Sequence, residues 1–224
     1  MIKTPRSVVF GGTGGIGRAV GELLAARGHE VTIVGRSAQI PGFNIDASDD
    51  EAVARFFEGA EPFDHVVISL AGGSAMGPFQ AISDQALRLA LDVKLFAYLN
   101  VARRARVTTG GSITFVTGVS GSKAIPHTAS LTLANAAIEA LTRMLALEYA
   151  PVRVNAVAPG TTATQAWDRM PQAIRDEMFE ATAQRTPLRR IAQPQDIALA
   201  VGALIENSFV TGVVSVCDGG LSLV

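Results

Sequence analysis

The chain has 224 residues, 48% of them hydrophobic, a net charge of −1 and one cysteine. That length and apolar content suit a single compact α/β domain with an ample core. The near-neutral charge, without a basic run, argues against nucleic acid as a partner, and a lone Cys217 allows neither an internal disulfide nor a cysteine-based metal cluster, which points to a reducing cytoplasm.

No apolar segment precedes the first strand, so neither a signal peptide nor a membrane span is expected, and no metal site. Val8-Val9-Phe10 is a short apolar run and reads as a buried strand. Five glycines follow in seven residues, Gly11 to Gly17, and then Ile16, Ala19, Val20, Leu23 and Leu24 recur at helical spacing. Strand, glycine turn and helix together make a site for a diphosphate. Glycine lets backbone N–H groups come close, and the helix start offers unpaired donors and a positive dipole end. A tight turn without a ligand is the weaker reading, because strand and helix flank the glycines on both sides.

Arg27-Gly28-His29 closes the helix. The strand 31–34 ends at Gly35-Arg36-Ser37, where a dinucleotide fold reads the adenosine ribose. An acid there favours NAD; Arg36 with Ser37 favours the 2′-phosphate of NADP over the role of a solvated surface arginine. Residues 37–42 are too few for a helical crossover, so the chain runs by a loop to Phe43-Asn44-Ile45. Asp46 or Ser48 is placed to cap the next helix, 49–58. The strand 64–70 is nearly all apolar, as a central parallel strand should be, and leads into Ala71-Gly72-Gly73. A long helix spans 84–106, a strand 112–117, a helix 129–149, and a strand 152–157 that ends in Ala158-Pro159-Gly160. Residues 163–190 contain Trp167, Met170, Met178 and Phe179 and read as a helix pair bounded by Pro171 and Pro187. A helix over 193–205 and a strand over 213–217 complete the chain. This alternation predicts a doubly wound parallel sheet with helices on both faces.

The spacing Gly11-x-x-x-Gly15-x-Gly17 resembles the fingerprint of the short-chain dehydrogenase/reductase family. So do Ala71-Gly72, Pro159-Gly160 and the last strand with Asp218-Gly219-Gly220, so the likeness covers nearly the whole chain. The family usually has Thr at Phe10 and Asn-Asn at Ser69-Leu70. The resemblance implies a single Rossmann-type domain over 1–224, with the family's helix between the second and third strands missing. It implies NADP(H) as cofactor. Gly11, Thr13, Gly14, Gly15, Ile16 and Gly17 would meet the diphosphate. Arg36, Ser37 and Asp46 would meet the adenosine end, with Asp46 at the adenine edge. Ala71, Gly72 and Gly73 would let the backbone pass the ribose, and Pro159, Gly160, Thr162 and Thr164 would line the nicotinamide end. Residues 163–190 would form a lid over a small-molecule substrate. The helices 84–106 and 129–149 would pack against copies of themselves in a homo-oligomer, a dimer or tetramer.

The family's reductases use Asn, Ser, Tyr and Lys. On that pattern the Asn position is Lys94, the Tyr position is Leu131 and the Lys position is Asn135. The Ser position falls near Gly118, with Thr117 and Ser120 as the nearest hydroxyls. Asn and Lys thus look exchanged between two helices. Lys94 is either a helix-surface lysine or, given apolar Leu91, Val93, Leu95 and Phe96 around it, a group that enters the pocket. Asn135, amid alanines and Leu133, would be a buried amide in need of partners. Tyr98, one turn after Lys94, reads as core. His127 and Ser122 are weak candidates for an acid, and His29 and His65 are expected to be solvated. Two functions follow: an NADP(H)-dependent oxidoreductase of a small carbonyl or alcohol, with a proton relay through Lys94, Asn135, Thr117 or Ser120, or a non-catalytic NADPH-binding sensor or scaffold.

Overall fold

The computed structural model describes residues 4–38, 43–72 and 75–224. Its strands are β1 (Arg6–Phe10), β2 (Glu30–Val34), β3 (Phe63–Ile68), β4 (Val107–Val116), β5 (Arg153–Pro159) and β6 (Val214–Cys217). They form one sheet in the order β2-β1-β3-β4-β5-β6, every neighbouring pair parallel. A parallel strand is covered on both faces, which is why the central strands read as unbroken apolar runs. The doubly wound sheet inferred from the alternating pattern is the one observed.

The helices are α1 (Gly15–Ala26), α2 (Asp50–Glu58), α3 (Asp84–Leu91), α4 (Ala97–Arg104), α5 (Ala129–Glu148), α6 (Gln172–Arg185) and α7 (Pro194–Glu206). Side chains alternate across each strand and divide the core in two. Val9, Val67, Val116 and Val157 face α1 and α7. Val8, Phe10, Val66 and Phe115 face α2, α4 and α5. Phe10 stacks on Phe57 at 5.6 Å and meets Phe56 edge-on at the same separation. Burial of one such ring stabilises by roughly 1.5–3 kcal/mol, so this aromatic group anchors α2 to the sheet. Arg153, the first residue of β5, donates to the carbonyls of Leu204 and Ile205 and so closes the last turn of α7.

Four details differ from the sequence reading. The helix α2 is capped by Asp49, whose side chain accepts from Ala52 N. Asp46 instead closes a local turn on Ser48, accepting from its N–H at 3.0 Å and its hydroxyl at 2.8 Å. The helical run over 84–106 is not uniform: a π-helical stretch, Asp92–Phe96, separates α3 from α4. Residues 163–190 hold one helix, α6, and a short 3₁₀ turn, Gln165–Trp167, not a helix pair.

Residues 43–46 run without strand pairing, and 35–38 form a turn; residues 39–42 lie outside the described residues. The sheet order reverses at β1, which opens a crevice between the carboxyl ends of β1 and β3. In such sheets ligands bind at that reversal. Gly11, Gly72, Thr117 and Pro159 all stand at or just beyond strand ends on this side. Among the described residues no helix is long and apolar enough to cross a membrane, and no cluster of three His, Cys, Asp or Glu could hold a metal ion.

Candidate functional site

The glycine turn is built by close backbone approach. Gly11 and Gly15 have φ of +81° and +51°, a region that favours glycine. A Cβ on Gly11 would lie 2.2 Å from Ser69 O, and one on Gly17 would lie 2.2 Å from Gly11 O. Turn, helix start and the end of β3 therefore touch backbone to backbone. The helix α1 begins after Gly14 with no side-chain cap, which leaves N–H donors for an anion. The Gly15 N–H donates to Gln165 Oε1 at 3.0 Å. Thr164 packs on Gly15, its side chain 3.3 Å from where a Cβ would stand. Thr13 lies against Gly35 at the end of β2, and its carbonyl accepts from Arg18.

Beyond β2, Arg36 and Ser37 are exposed. No carboxylate of the described residues pairs with Arg36 at ion-pair distance. Asp46 is held below the usual carboxylate range by the Ser48 N–H, with a smaller pull from the Arg36 charge. Ala71 is exposed and Gly72 partly buried after β3; Gly73 lies outside the described residues.

The second half of the site is a buried polar cluster where α4, α5 and the end of β4 meet. Lys94, in the π-helical stretch, is only 6% exposed. Its Nζ donates to Thr117 O at 3.4 Å and stands 5.9 Å from the centre of the Tyr98 ring. Burial pulls the Lys94 ammonium down to about 8, and the Glu139 carboxylate opposes that fall. Asn135, 3% exposed, donates from Nδ2 to Ser120 Oγ at 2.9 Å, while its Oδ1 has no partner among the described residues. A Cβ on Gly118 would meet Asn135 Nδ2 at 2.8 Å, and one on Gly72 would meet Leu131 and Lys94 at 3.0 Å. Lys94, Thr117, Ser120, Leu131 and Asn135 thus lie together around the end of β4.

Several other expectations meet different surroundings. His127 is exposed with φ +66°, outside the cluster. Ser122 is exposed and bonds only Val119 O. Tyr98 is fully buried; its hydroxyl donates to Val116 O at 2.5 Å and accepts from Leu70 N at 3.2 Å. Burial lifts its phenol far above the ordinary range. His29 and His65 were expected to be solvated; both are instead half-buried and hydrogen-bonded. Parallel register sets His65 between Ser7 and Ser112; its Nδ1 meets Ser112 Oγ at 2.9 Å, and His29 Nδ1 meets Ser7 Oγ at 2.8 Å. The two rings lie 5.6 Å apart, and burial holds His65 down to about 4.

At the far wall, Pro159-Gly160 ends β5. Thr162 is buried and its hydroxyl donates to Gly160 O at 3.0 Å. Trp167 Nε1 donates to Thr162 O at 2.8 Å, and its ring meets Phe179 of α6 edge-on at 5.8 Å. One group was missed from sequence altogether: Glu139, 6% exposed, whose Oε1 accepts from Thr117 Oγ1 at 3.3 Å. Its signal was present, since it stands four residues after Asn135 on the same helix face.

A family model described as enoyl-(acyl carrier protein) reductase matches residues 11–222. The 3-oxoacyl-(acyl-carrier-protein) reductase MabA of Mycobacterium bovis is 31% identical over 97% of this chain and 93% of its own length. Carbonyl reductase family member 4 of Danio rerio is 30% identical over 97% of this chain and 98% of its own. A crystal structure of a small-chain dehydrogenase in complex with NADPH superposes with a TM-score of 0.93 at 34% identity, over 99% of this chain and 100% of that one. Match, relatives and fold agree along nearly the full length: the chain belongs to the short-chain dehydrogenase/reductase family of oxidoreductases.

Proposed function

We propose that this protein is an NADPH-dependent oxidoreductase of a small carbonyl or alcohol substrate, with Lys94 in place of the usual tyrosine as the group that moves the proton. The observation that carries this reading is the buried Lys94, with its ammonium at the end of β4 beside an Asn135 whose Oδ1 lacks a donor. The residues present fit the cofactor. Gly11, Gly15 and Gly17 leave a backbone cradle that a Cβ would fill, the uncapped start of α1 suits a diphosphate, and the orphaned Asn135 Oδ1 can accept from a ribose hydroxyl. Arg36 and Ser37 are free to meet a 2′-phosphate. Relatives described as reductases, and the NADPH complex of a similar structure, support the choice.

When bound, NADPH supplies a hydride to a carbonyl carbon. Lys94 then gives a proton to the carbonyl oxygen, directly or through a water held by Ser120 and Asn135. A lysine is a competent acid and base when its pKa is brought toward neutrality by burial, and that of Lys94 is about 8. Thr117 holds the ammonium by its carbonyl. Thr164, Trp167 and α6 form the lid, 163–190, that excludes water. The chain forms a homo-oligomer through the helical run 84–106 and α5, where Leu89 of α3, Phe96 of the π-helical stretch and Leu133, Met144 and Leu147 of α5 are exposed.

A second reading has its own observation. Leu131 stands where the family's tyrosine is expected, against Gly72 and Lys94, and places no acid there. A sensor or scaffold that binds NADPH without turnover would look the same at the glycine turn. Fluorescence titration with NADPH, followed by turnover with a panel of ketones, aldehydes and quinones, separates the two. Binding with oxidation supports the enzyme, binding without oxidation supports the sensor, and absence of binding contradicts both.

A further inference from the structure

Lys94 does not stand alone in its cluster. Thr117 O accepts from Lys94 Nζ at 3.4 Å, and Thr117 Oγ1 donates to Glu139 Oε1 at 3.3 Å, so one residue bridges an ammonium from the α3–α4 run to a carboxylate from α5. The same hydroxyl has Val157 O at 3.2 Å, one proton for two acceptors. Space for the carboxylate is made by Gly121, where a Cβ would collide with Glu139 Oε1. A carboxylate this enclosed, with part of one hydroxyl bond, is costly unless a cation is near. We infer that Glu139 is a positioning residue that keeps Lys94 charged across Thr117, so that the α5 helix, which carries no lysine at Asn135, returns a carboxylate one turn later to balance a lysine delivered from the other helix.

This inference rests on the reading of Lys94 given above. The charged and titratable groups around the pair are few. Glu139 faces Lys94 from α5, and Tyr98 faces it from α4. Arg143, one turn further along α5, acts on Glu139. Burial pushes Lys94 down and Glu139 up, and each charge opposes the shift of the other. The two side chains are not in ion-pair contact, so their coupling acts through the bridge and the low-dielectric surroundings.

The coupling must be reciprocal, and this gives two independent tests that need neither cofactor nor turnover. In the full chain, ¹³C-labelled lysine resonances are titrated by NMR in the parent and in Glu139→Gln, with Lys94 assigned by the loss of its resonance in the charge-conserving Lys94→Arg. The Lys94 midpoint should move to lower pH by about one unit in Glu139→Gln, because a neutral amide no longer favours the ammonium. In Lys94→Met, the ¹³C carboxyl resonance of Glu139 should titrate at higher pH than in the parent. If one variant does not fold, the other reads the same coupling. A Lys94 midpoint unchanged in folded Glu139→Gln, or a Glu139 midpoint unchanged in Lys94→Met, overturns the inference. Failure to bind NADPH would instead overturn the proposed function and leave these titrations as they are.

Discussion

In the proposed function Arg36 ties the chain to its ligand, and His65 ties its stability to pH. Arg36 is exposed beside Ser37, with no described carboxylate paired to it. A charge-assisted contact to a 2′-phosphate is worth roughly 1.5–3 kcal/mol, less where water screens it. Arg36→Ala should therefore cut the preference for NADPH over NADH about tenfold, read by comparing the two affinities. His65 carries a different expectation. Its folded pKa, about 4, lies below the unfolded 6.5, so the unfolded chain binds the extra proton first as pH falls. Stability should drop between about pH 6.5 and pH 4, by about 2 kcal/mol once partial exposure of the ring is allowed for. Urea midpoints across that window should show the fall, and His65→Gln should flatten it. His65 was not read as buried because its environment depends on register: only pairing of β3 with both β1 and β4 puts Ser7 and Ser112 on either side of it.

Among the elements, the helix starts carry the clearest tests. Asp49 caps α2 through Ala52 N, so Asp49→Ala should cost about 1 kcal/mol by thermal or urea unfolding. Asp46→Ala removes side-chain bonds that, among the described residues, go to Ser48, and should leave that helix nearly as stable. At α1, Gly15→Val would meet Thr164 at 3.3 Å and strain a φ of +51°. Calorimetric titration of that variant should show NADPH affinity lost while the fold persists. Most elements were legible because apolar runs and 3.6-residue spacing dominate them: β1, β3 and the α5 periodicity need no tertiary knowledge. The π-helical stretch was not legible, since Asp92–Phe96 keeps the same apolar spacing as its α-helical neighbours. The cap of α2 was misread for a similar reason. Asp46, Ser48 and Asp49 are all good caps, and only the first helical hydrogen bond decides among them.

For the whole molecule, the proposed site joins two separately built halves, the glycine turn after β1 and the Lys94 cluster at the end of β4. The glycine half was plain in the sequence because its chemistry is local: five glycines between a strand and a helix. The Lys94 half was legible only as an exchange between two positions 41 residues apart. The structure adds the carbonyl that holds the ammonium and the orphaned amide oxygen of Asn135, and it brings in Glu139, whose place four residues after Asn135 was overlooked. If Lys94 moves the proton, turnover depends on its ammonium. The measurement that tests it most directly is steady-state NADPH oxidation by parent and Lys94→Met with the best substrate of a carbonyl panel, with NADPH affinity measured alongside. A general acid contributes about 10²–10⁴-fold. In Lys94→Met, kcat should fall by at least about a hundredfold, well beyond the loss of NADPH affinity. A Lys94→Met protein that binds and turns over NADPH as well as the parent would contradict it.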